Sequence, residues 1–263
     1  MINRDEKNDV LFLQRLSEMC SRSKERFCPQ FTNFLDGRAL RISKEHLGKF
    51  GSDIIFVAFG GFSDAEREIV GIFPKDIYEY CELDELKEQF EISALKISGS
   101  GFNTFSHRDV LGSLLGLGIK RETLGDIYVE PDGKCAYVCM TKVAAEYVAG
   151  NLDFVARDKV NVSFIGLSEL PEIEKKFSVI SGTVASERLD SILSIATNLS
   201  REKTKQLIAS GLVSVNHFEE TRCDILLEEG DILSVRGFGR YVIAEFGGVT
   251  KKGRNRILVH KMI

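Results

Sequence analysis

Apolar positions change period several times along the chain, and each change marks an element. Leu189, Ile192, Leu193 and Ala196 recur at i, i+3, i+4, i+7, one face of a short helix. Ser200 can cap a second helix by accepting an orphan backbone N–H, with Leu207 and Ile208 turned inward and Gly211 able to take the left-handed closing position. Val213–Val215 follows as a strand, then Ile232–Val235 and Tyr241–Phe246, before Gly247–Arg256 turns back into Ile257–Val259.

The same reading orders the first two thirds. Phe12, Leu13, Leu16 and Cys20 predict a helix over Asp9–Cys20, and Pro29 bars its continuation. Phe31–Leu35 begins a second element, and Ile54–Phe59 and Ile69–Phe73 are buried strands by length and β-branching. Further on come a strand at Ile92–Ile97, a helix at Arg108–Leu117, and strands at Gly125–Val129 and Lys134–Met140 around the turn Pro131-Asp132-Gly133. A helix at Thr141–Gly150 capped by Thr141 and a strand at Val160–Phe164 complete the series. That βαββαβ order is the ferredoxin-like plan of RNA-recognition-motif domains. Such sheets stack bases on aromatic side chains. Only Tyr137 sits where an aromatic would serve and Cys135 takes the place of another, so packing is as good a role for Tyr137 as stacking. Residues 168–182 read as a linker entering a strand at Phe177–Ile180.

The chain is therefore expected to be α+β with three domains. These are a small α+β amino-terminal domain over 1–76, a ferredoxin-like (RNA-recognition-motif-like) βαββαβ middle domain over 77–172, and a carboxy-terminal domain over 181–263 ending in a basic β-hairpin extension.

Charge sharpens the picture. The 263 residues carry a net −4, yet residues 181–263 hold 12 Lys and Arg against 10 Asp and Glu. From Arg236 to Lys261 there are seven basic residues and one acid, Glu245. An acidic body with a basic end points to a polyanion contact at that end. No apolar run approaches the roughly 18 residues of a membrane span, and the charged stretch Met1–Val10 is unlike a secretory signal. A cytoplasmic protein is expected. Six cysteines form no CxxC pair and stand beside no histidine ligand, which predicts reduced thiols and no metal.

Arg201 and Lys205, four residues apart, share a stripe with Arg188 close by, a rigid cationic face suited to phosphates. Charge spacing of this kind also occurs on merely solvated helices. Arg236-Gly237-Phe238-Gly239-Arg240 places two arginines around glycines that let backbone approach a phosphate. In the middle stretch Gly112, Gly116 and Gly118 weaken an apolar helix unless something approaches closely, and His107, Arg108, Lys120 and Arg121 bracket it as a second candidate surface. Ser98-Gly99-Ser100-Gly101 lacks the spacing and lysine of a phosphate loop, so no nucleotide is expected there.

Arg188-Leu189-Asp190, Ser200-Arg201, Lys205, Ile208, Gly211, Val213, Val215-Asn216 and Gly230-Asp231 together resemble the RNA-binding domain named after small-subunit ribosomal protein four, the S-four domain. The one departure is His217, where glycine often follows the Val-Asn pair. Phe59-Gly60-Gly61, Ala65-Glu66-Arg67, the segment Ser106–Glu122 with Gly125-Asp126-Ile127, and Arg236–Arg240 extend the likeness over nearly the whole chain, to the bacterial YlmH family. The resemblance implies a protein of ribosome-associated quality control that joins the large ribosomal subunit carrying peptidyl-tRNA. Its expected partners are rRNA and tRNA, with no membrane and no DNA. The RNA-binding residues it implies are Arg188, Ser200, Arg201, Lys203, Lys205, Gln206, Asn216, His217, Arg236, Arg240, Lys251, Lys252 and Arg254.

S-four domains also accompany enzymes. Arg188-Leu189-Asp190 follows Glu187 rather than the glycine of a pseudouridine-synthase motif, and no synthetase signature is present. The expected reading is a non-enzymatic RNA-binding protein with no cofactor. An RNA-modifying enzyme with its site in the first two domains, or a ribosome assembly scaffold, are the alternatives.

Overall fold

The computed structural model describes residues 4–50, 53–173, 176–250 and 253–262. The chain is α+β and divides into two compact units, Met1–Ile173 and Glu174–Ile263. The segments expected as separate first and second domains thus fold into one unit.

In the first unit α1 (Arg4–Arg26) extends past the expected Asp9–Cys20 at both ends and stops at Phe27, whose backbone is left-handed (φ 52°) ahead of Pro29. β1 (Gln30–Phe31), α2 (Gly37–Leu47), β2 (Ile54–Phe59) and β3 (Ile69–Pro74) follow, with α2 capped by the Asp36 carboxylate. β3 lies between β1 and β2 and is buried along its length. Its Val70 and Ile72 pack with Leu16 and Cys20 of α1 and Leu40 and Leu47 of α2, while Ile69 and Phe73 point the other way. Gly71 shares that second side: a Cβ there would lie 2.7 Å from the Phe90 ring, so the missing side chain is the seat of an aromatic cluster.

Short helices α3 (Lys75–Tyr78) and α4 (Leu83–Lys87) lead into β4 (Ile92–Gly99), α5 (His107–Gly116), β5 (Leu124–Val129), β6 (Cys135–Thr141), α6 (Lys142–Asn151), β7 (Phe154–Val155) and β8 (Asp158–Ile165). The sheet order β5-β6-β4-β8-β7 is antiparallel throughout and puts the first and third long strands at its centre. Leu95, Ile97, Val138 and Met140 face α5 and α6, where Val110, Leu114, Ala145 and Val148 complete a dry core. Ser106 and Asp109 cap α5 reciprocally. Thr141 occupies the cap position of α6, but its hydroxyl makes no capping bond, contrary to the expectation.

The motif residues of this unit weld its two halves. The Arg67 guanidinium donates to the carbonyls of Leu124 (2.9 Å), Phe34 (3.0 Å) and Arg121 (3.1 Å), and Asp126 accepts from the Glu66 backbone at 2.6 Å. A Cβ on Gly61 would fall 2.5 Å from Cys139 Sγ, and one on Gly125 would fall 2.7 Å from the Phe34 ring. Burial pushes the Cys139 thiol up to about 12, which keeps it protonated and inert.

The second unit is a six-stranded antiparallel sheet under two helices. Its elements are β9 (Phe177–Val184), α7 (Leu189–Thr197), α8 (Arg201–Ala209), β10 (Val213–Val215), β11 (Phe218–Glu219), β12 (Ile232–Val235), β13 (Gly239–Val249) and β14 (Asn255–Met262). The order β11-β10-β12-β13-β14-β9 joins the first strand of the unit to the last. The strand expected at Phe177–Ile180 begins where expected and runs on to Val184. Leu189, Ile192, Leu193 and Ala196 are buried on the sheet as their spacing predicts, with Ile208, Val213, Leu233, Tyr241 and Val259.

Candidate nucleic-acid interface

α7 ends on Asn198, left-handed at φ 56°, and only Leu199 separates it from the Ser200 cap of α8. Ser200 accepts from the Lys203 backbone as expected, and the Thr204 hydroxyl, buried beneath, donates to the Ser200 carbonyl at 3.0 Å. This tight link brings the start of α8 against the start of α7.

Asp190 lies between them, 3% exposed. Its Oδ1 is 3.1 Å from Arg188 Nε and accepts from the Ser191 hydroxyl at 3.4 Å, and its Oδ2 lies 4.0 Å from Lys205 Nζ. Arg201 Nη2 donates to that same Ser191 hydroxyl at 2.9 Å. One buried carboxylate therefore gathers three cations, directly or through one hydroxyl. The Arg188 and Lys205 side chains remain 39% and 55% exposed. Three positive charges over one negative leave the patch cationic, and the carboxylate fixes it without an ordered loop. Exposed pairs of this kind add little stability; their effect is positional.

The basic hairpin adjoins this patch. Asn255 Nδ2 donates to Glu187 Oε1 (3.1 Å), the residue before Arg188, and Arg254 Nη2 donates to the Thr183 carbonyl (2.6 Å). Lys251 and Lys252 lie outside the described residues.

Other expected residues are placed differently. Lys203 is two positions from both Arg201 and Lys205, so helix geometry turns it away from their stripe; it and Gln206 are exposed elsewhere on α8. Asn216 (φ 51°) and His217 (φ 74°) are both left-handed, which makes the β10–β11 link a two-residue turn of the primed kind. His217 thus adopts the backbone that glycine would supply more cheaply. The Asn216 amide works inside the fold, donating to Asp231 Oδ1 (2.6 Å) and accepting from the Ile232 backbone (3.0 Å). This contact accounts for the spaced Val-Asn and Gly-Asp pairs. Arg236 and Arg240 flank the β12–β13 turn, where Gly237 and Gly239 are left-handed. The Arg236 N–H donates to the Leu212 carbonyl, beyond the end of α8, so this pair lies past the far end of a helix about 14 Å long from Arg201.

In the first unit His107 and Arg108 open α5, whereas Lys120 and Arg121 follow its far end about 15 Å away. Arg121 is turned inward, donating to the Leu124 and Gly125 carbonyls at 3.3 Å. The four do not form one surface. Of the three glycines, only Gly118 has a backbone reason (φ 85°); a Cβ on Gly112 or Gly116 would meet nothing. Among the described residues no group of His, Cys, Asp or Glu is arranged to hold a metal, and no helix is long and apolar enough to cross a membrane.

The structure holds the helix pair and the Val-Asn turn on which the likeness to S-four domains rests. A family model described as "Putative RNA-binding domain in YlmH" matches residues 86–169, the βαββαβ part of the first unit. The chain is 31% identical over 252 residues to "Ribosome-associated protein quality control protein P2" of Bacillus subtilis (strain 168), covering 95% of this chain and 94% of that protein. It therefore belongs to the YlmH family. Among solved structures it is similar in fold to "Cell division protein ylmH from Streptococcus pneumoniae", with a TM-score of 0.51 and 21% identity over 62% of this chain and 93% of that one.

Proposed function

We propose that this protein is a non-enzymatic, cytoplasmic RNA-binding protein that contacts rRNA and tRNA at the large ribosomal subunit and steadies peptidyl-tRNA while a stalled ribosome is rescued. The observation that carries the reading is the set of Arg188, Arg201 and Lys205 held around Asp190 and Ser191, with the Arg254 hairpin beside it. The name of the B. subtilis relative supports the ribosomal setting, and the matched family model supports RNA as the ligand. Fixed guanidinium and ammonium groups grip phosphates through charge-assisted hydrogen bonds and need no bond-making chemistry.

Replacing Arg201 and Lys205 together by Ala tests the reading. Cosedimentation with ribosomes should weaken severalfold while the melting temperature holds, and the slope of log affinity against log salt should lose about 0.7 to 0.9 per removed contact. An unchanged sedimentation profile overturns the assignment. Binding of S-adenosylmethionine or a nucleotide in a thermal-shift assay would favour the modifying-enzyme reading instead.

A further inference from the structure

In the order β1-β3-β2, β2 is an outer strand of its sheet. Val70 of β3 turns its backbone to the β1 side, its C=O accepting from the Thr32 N–H (3.0 Å) and its N–H donating to the Thr32 hydroxyl (2.9 Å). Successive residues of a strand turn their backbone groups to opposite neighbours, so Ile69 and Gly71 bond their register partners on β2, Phe59 and Val57. The N–H and C=O groups of Phe56 and Ala58 therefore point outward. Among the described residues no other backbone meets them. An edge of this kind is a template for a further strand.

A cavity of about 350 Å³, within the size range of ligand pockets, opens at the end of that edge. Ala58, Phe59, Phe62, Leu170, Glu68 and Glu172 are on its wall. A side chain on Gly60 would strike the Arg67 carbonyl, and Gly61 is left-handed (φ 93°), so the chain folds back straight after Phe59, beside the cavity.

The charges there favour a cation. The Glu68 side chain is 21% exposed and has Lys44 only at 3.9 Å. Burial, opposed by Lys44 and helped by Asp126, pushes its carboxyl up, the mark of a negative charge short of compensation. Glu172 adds a second, exposed carboxylate. The Lys87 ammonium at the border already lies 2.9 Å from Asp84 and 5.9 Å from the Phe59 ring centre. Residues 1–180 hold 23 Lys and Arg against 29 Asp and Glu, a background that repels polyanions and attracts basic chains.

We propose that the outer edge of β2 and this cavity form a docking site for an extended basic segment of a protein partner. The segment adds to Phe56 and Ala58 as a strand and lays a Lys or Arg side chain into the cavity. Its aliphatic stem runs along Phe59, Phe62 and Leu170, and its charged head meets Glu68 and Glu172. Backbone bonds supply affinity and the cavity supplies selectivity, as in other strand additions. The site uses no residue of the Asp190 patch and does not depend on the RNA-binding reading.

The test titrates the full chain into a fluorescein-labelled, end-capped peptide Val-Lys-Val-Lys-Val-Lys-Val, read by anisotropy. This peptide should bind, and the same peptide with glutamate for lysine should not. N-methylation of one alternate set of its residues should abolish binding while the other set is tolerated, because only one set faces Ala58. Glu68→Gln with Glu172→Gln should weaken binding about tenfold. Ala58→Pro should do the same, since it removes an outward N–H from an edge strand, where proline is accommodated. Thermal melts show that each variant folds; should Ala58→Pro fail to, the N-methylated peptides decide without it. No binding, equal binding of the glutamate peptide, or indifference to both N-methylation patterns or to the carboxylate pair overturns the proposal. So does displacement by an equal concentration of spermidine, which would reduce the site to a cation pocket. None of these results touches the ribosome-cosedimentation test of the Asp190 patch.

Discussion

Asp190→Asn separates two views of the cationic patch, because they predict opposite signs. If the patch acts only through its net charge, removing a carboxylate beneath it should tighten RNA binding. For a phosphate about 8 Å from that carboxylate the Coulomb energy is roughly 0.5 kcal/mol at the dielectric of water and 2 kcal/mol at the surface value of about 20. A Debye length of about 8 Å at physiological salt leaves roughly a third of this, a gain of less than about fourfold. If Asp190 instead positions the cations, its loss frees Arg188, Lys205 and, through Ser191, Arg201. Reordering each long side chain on the RNA then costs about 0.5 to 1.5 kcal/mol. An Asn amide keeps the shape and part of the hydrogen bonding, so the lower end applies, and the net effect is a loss of about five- to tenfold in affinity. The assay is ribosome binding by the wild-type chain and the variant at several salt concentrations, with thermal melts alongside. Equal or tighter binding by a variant that melts normally would refute the positioning argument.

Other perturbations follow from the same geometry. Arg67→Lys removes the planar group that meets three carbonyls, and denaturant titration should show a loss of about 2 to 4 kcal/mol. Gly112→Ala, at an exposed helix position where a Cβ meets nothing, should raise the urea midpoint by about 0.5 to 1 kcal/mol equivalent, whereas Gly71→Ala should lower it by about 1 to 3 as the new methyl strikes Phe90. Asp158 accepts from the Ser100 hydroxyl and backbone and from Asn103 (3.1 Å), and chiefly the Ser100 hydroxyl holds its carboxyl below the usual range. A depressed folded value means stability present above about pH 3.9, the ordinary aspartate value, and lost as pH falls through the folded one. Hydrogen exchange across residues 99–106 should accelerate in that acid window, and Asp158→Asn should remove the pH dependence.

Much of the second unit was legible because its signals are local. The Leu189–Ala196 stripe, the Ser200 cap and left-handed Gly211 each depend on neighbours within a turn or two. Asp190 was not legible as a hub, since its partners at 201 and 205 arrive through the fold rather than through spacing. That Arg236 and Arg240 lie at the opposite end of α8 from Arg201 follows from the Arg236–Leu212 backbone bond, which helix spacing alone does not give. Tyr128 stands beside Tyr137 only through the pairing of β5 with β6, which periodicity within either strand does not give. The first unit's glycine-rich motifs marked the family correctly, but sequence could not say that they serve packing between its two halves.

The pairing of β9 with β14 has a consequence for synthesis. Phe177–Val184 emerges early and must wait for Asn255–Met262, more than seventy positions later, before its hydrogen-bonding edge is satisfied. The helices can coil as soon as they leave the exit tunnel, yet the floor under them, including Ile257 and Val259, is laid last. The second unit therefore matures only after nearly all of it has been translated, and a chain cut short within β14 would carry every gathered cation on an unfinished support.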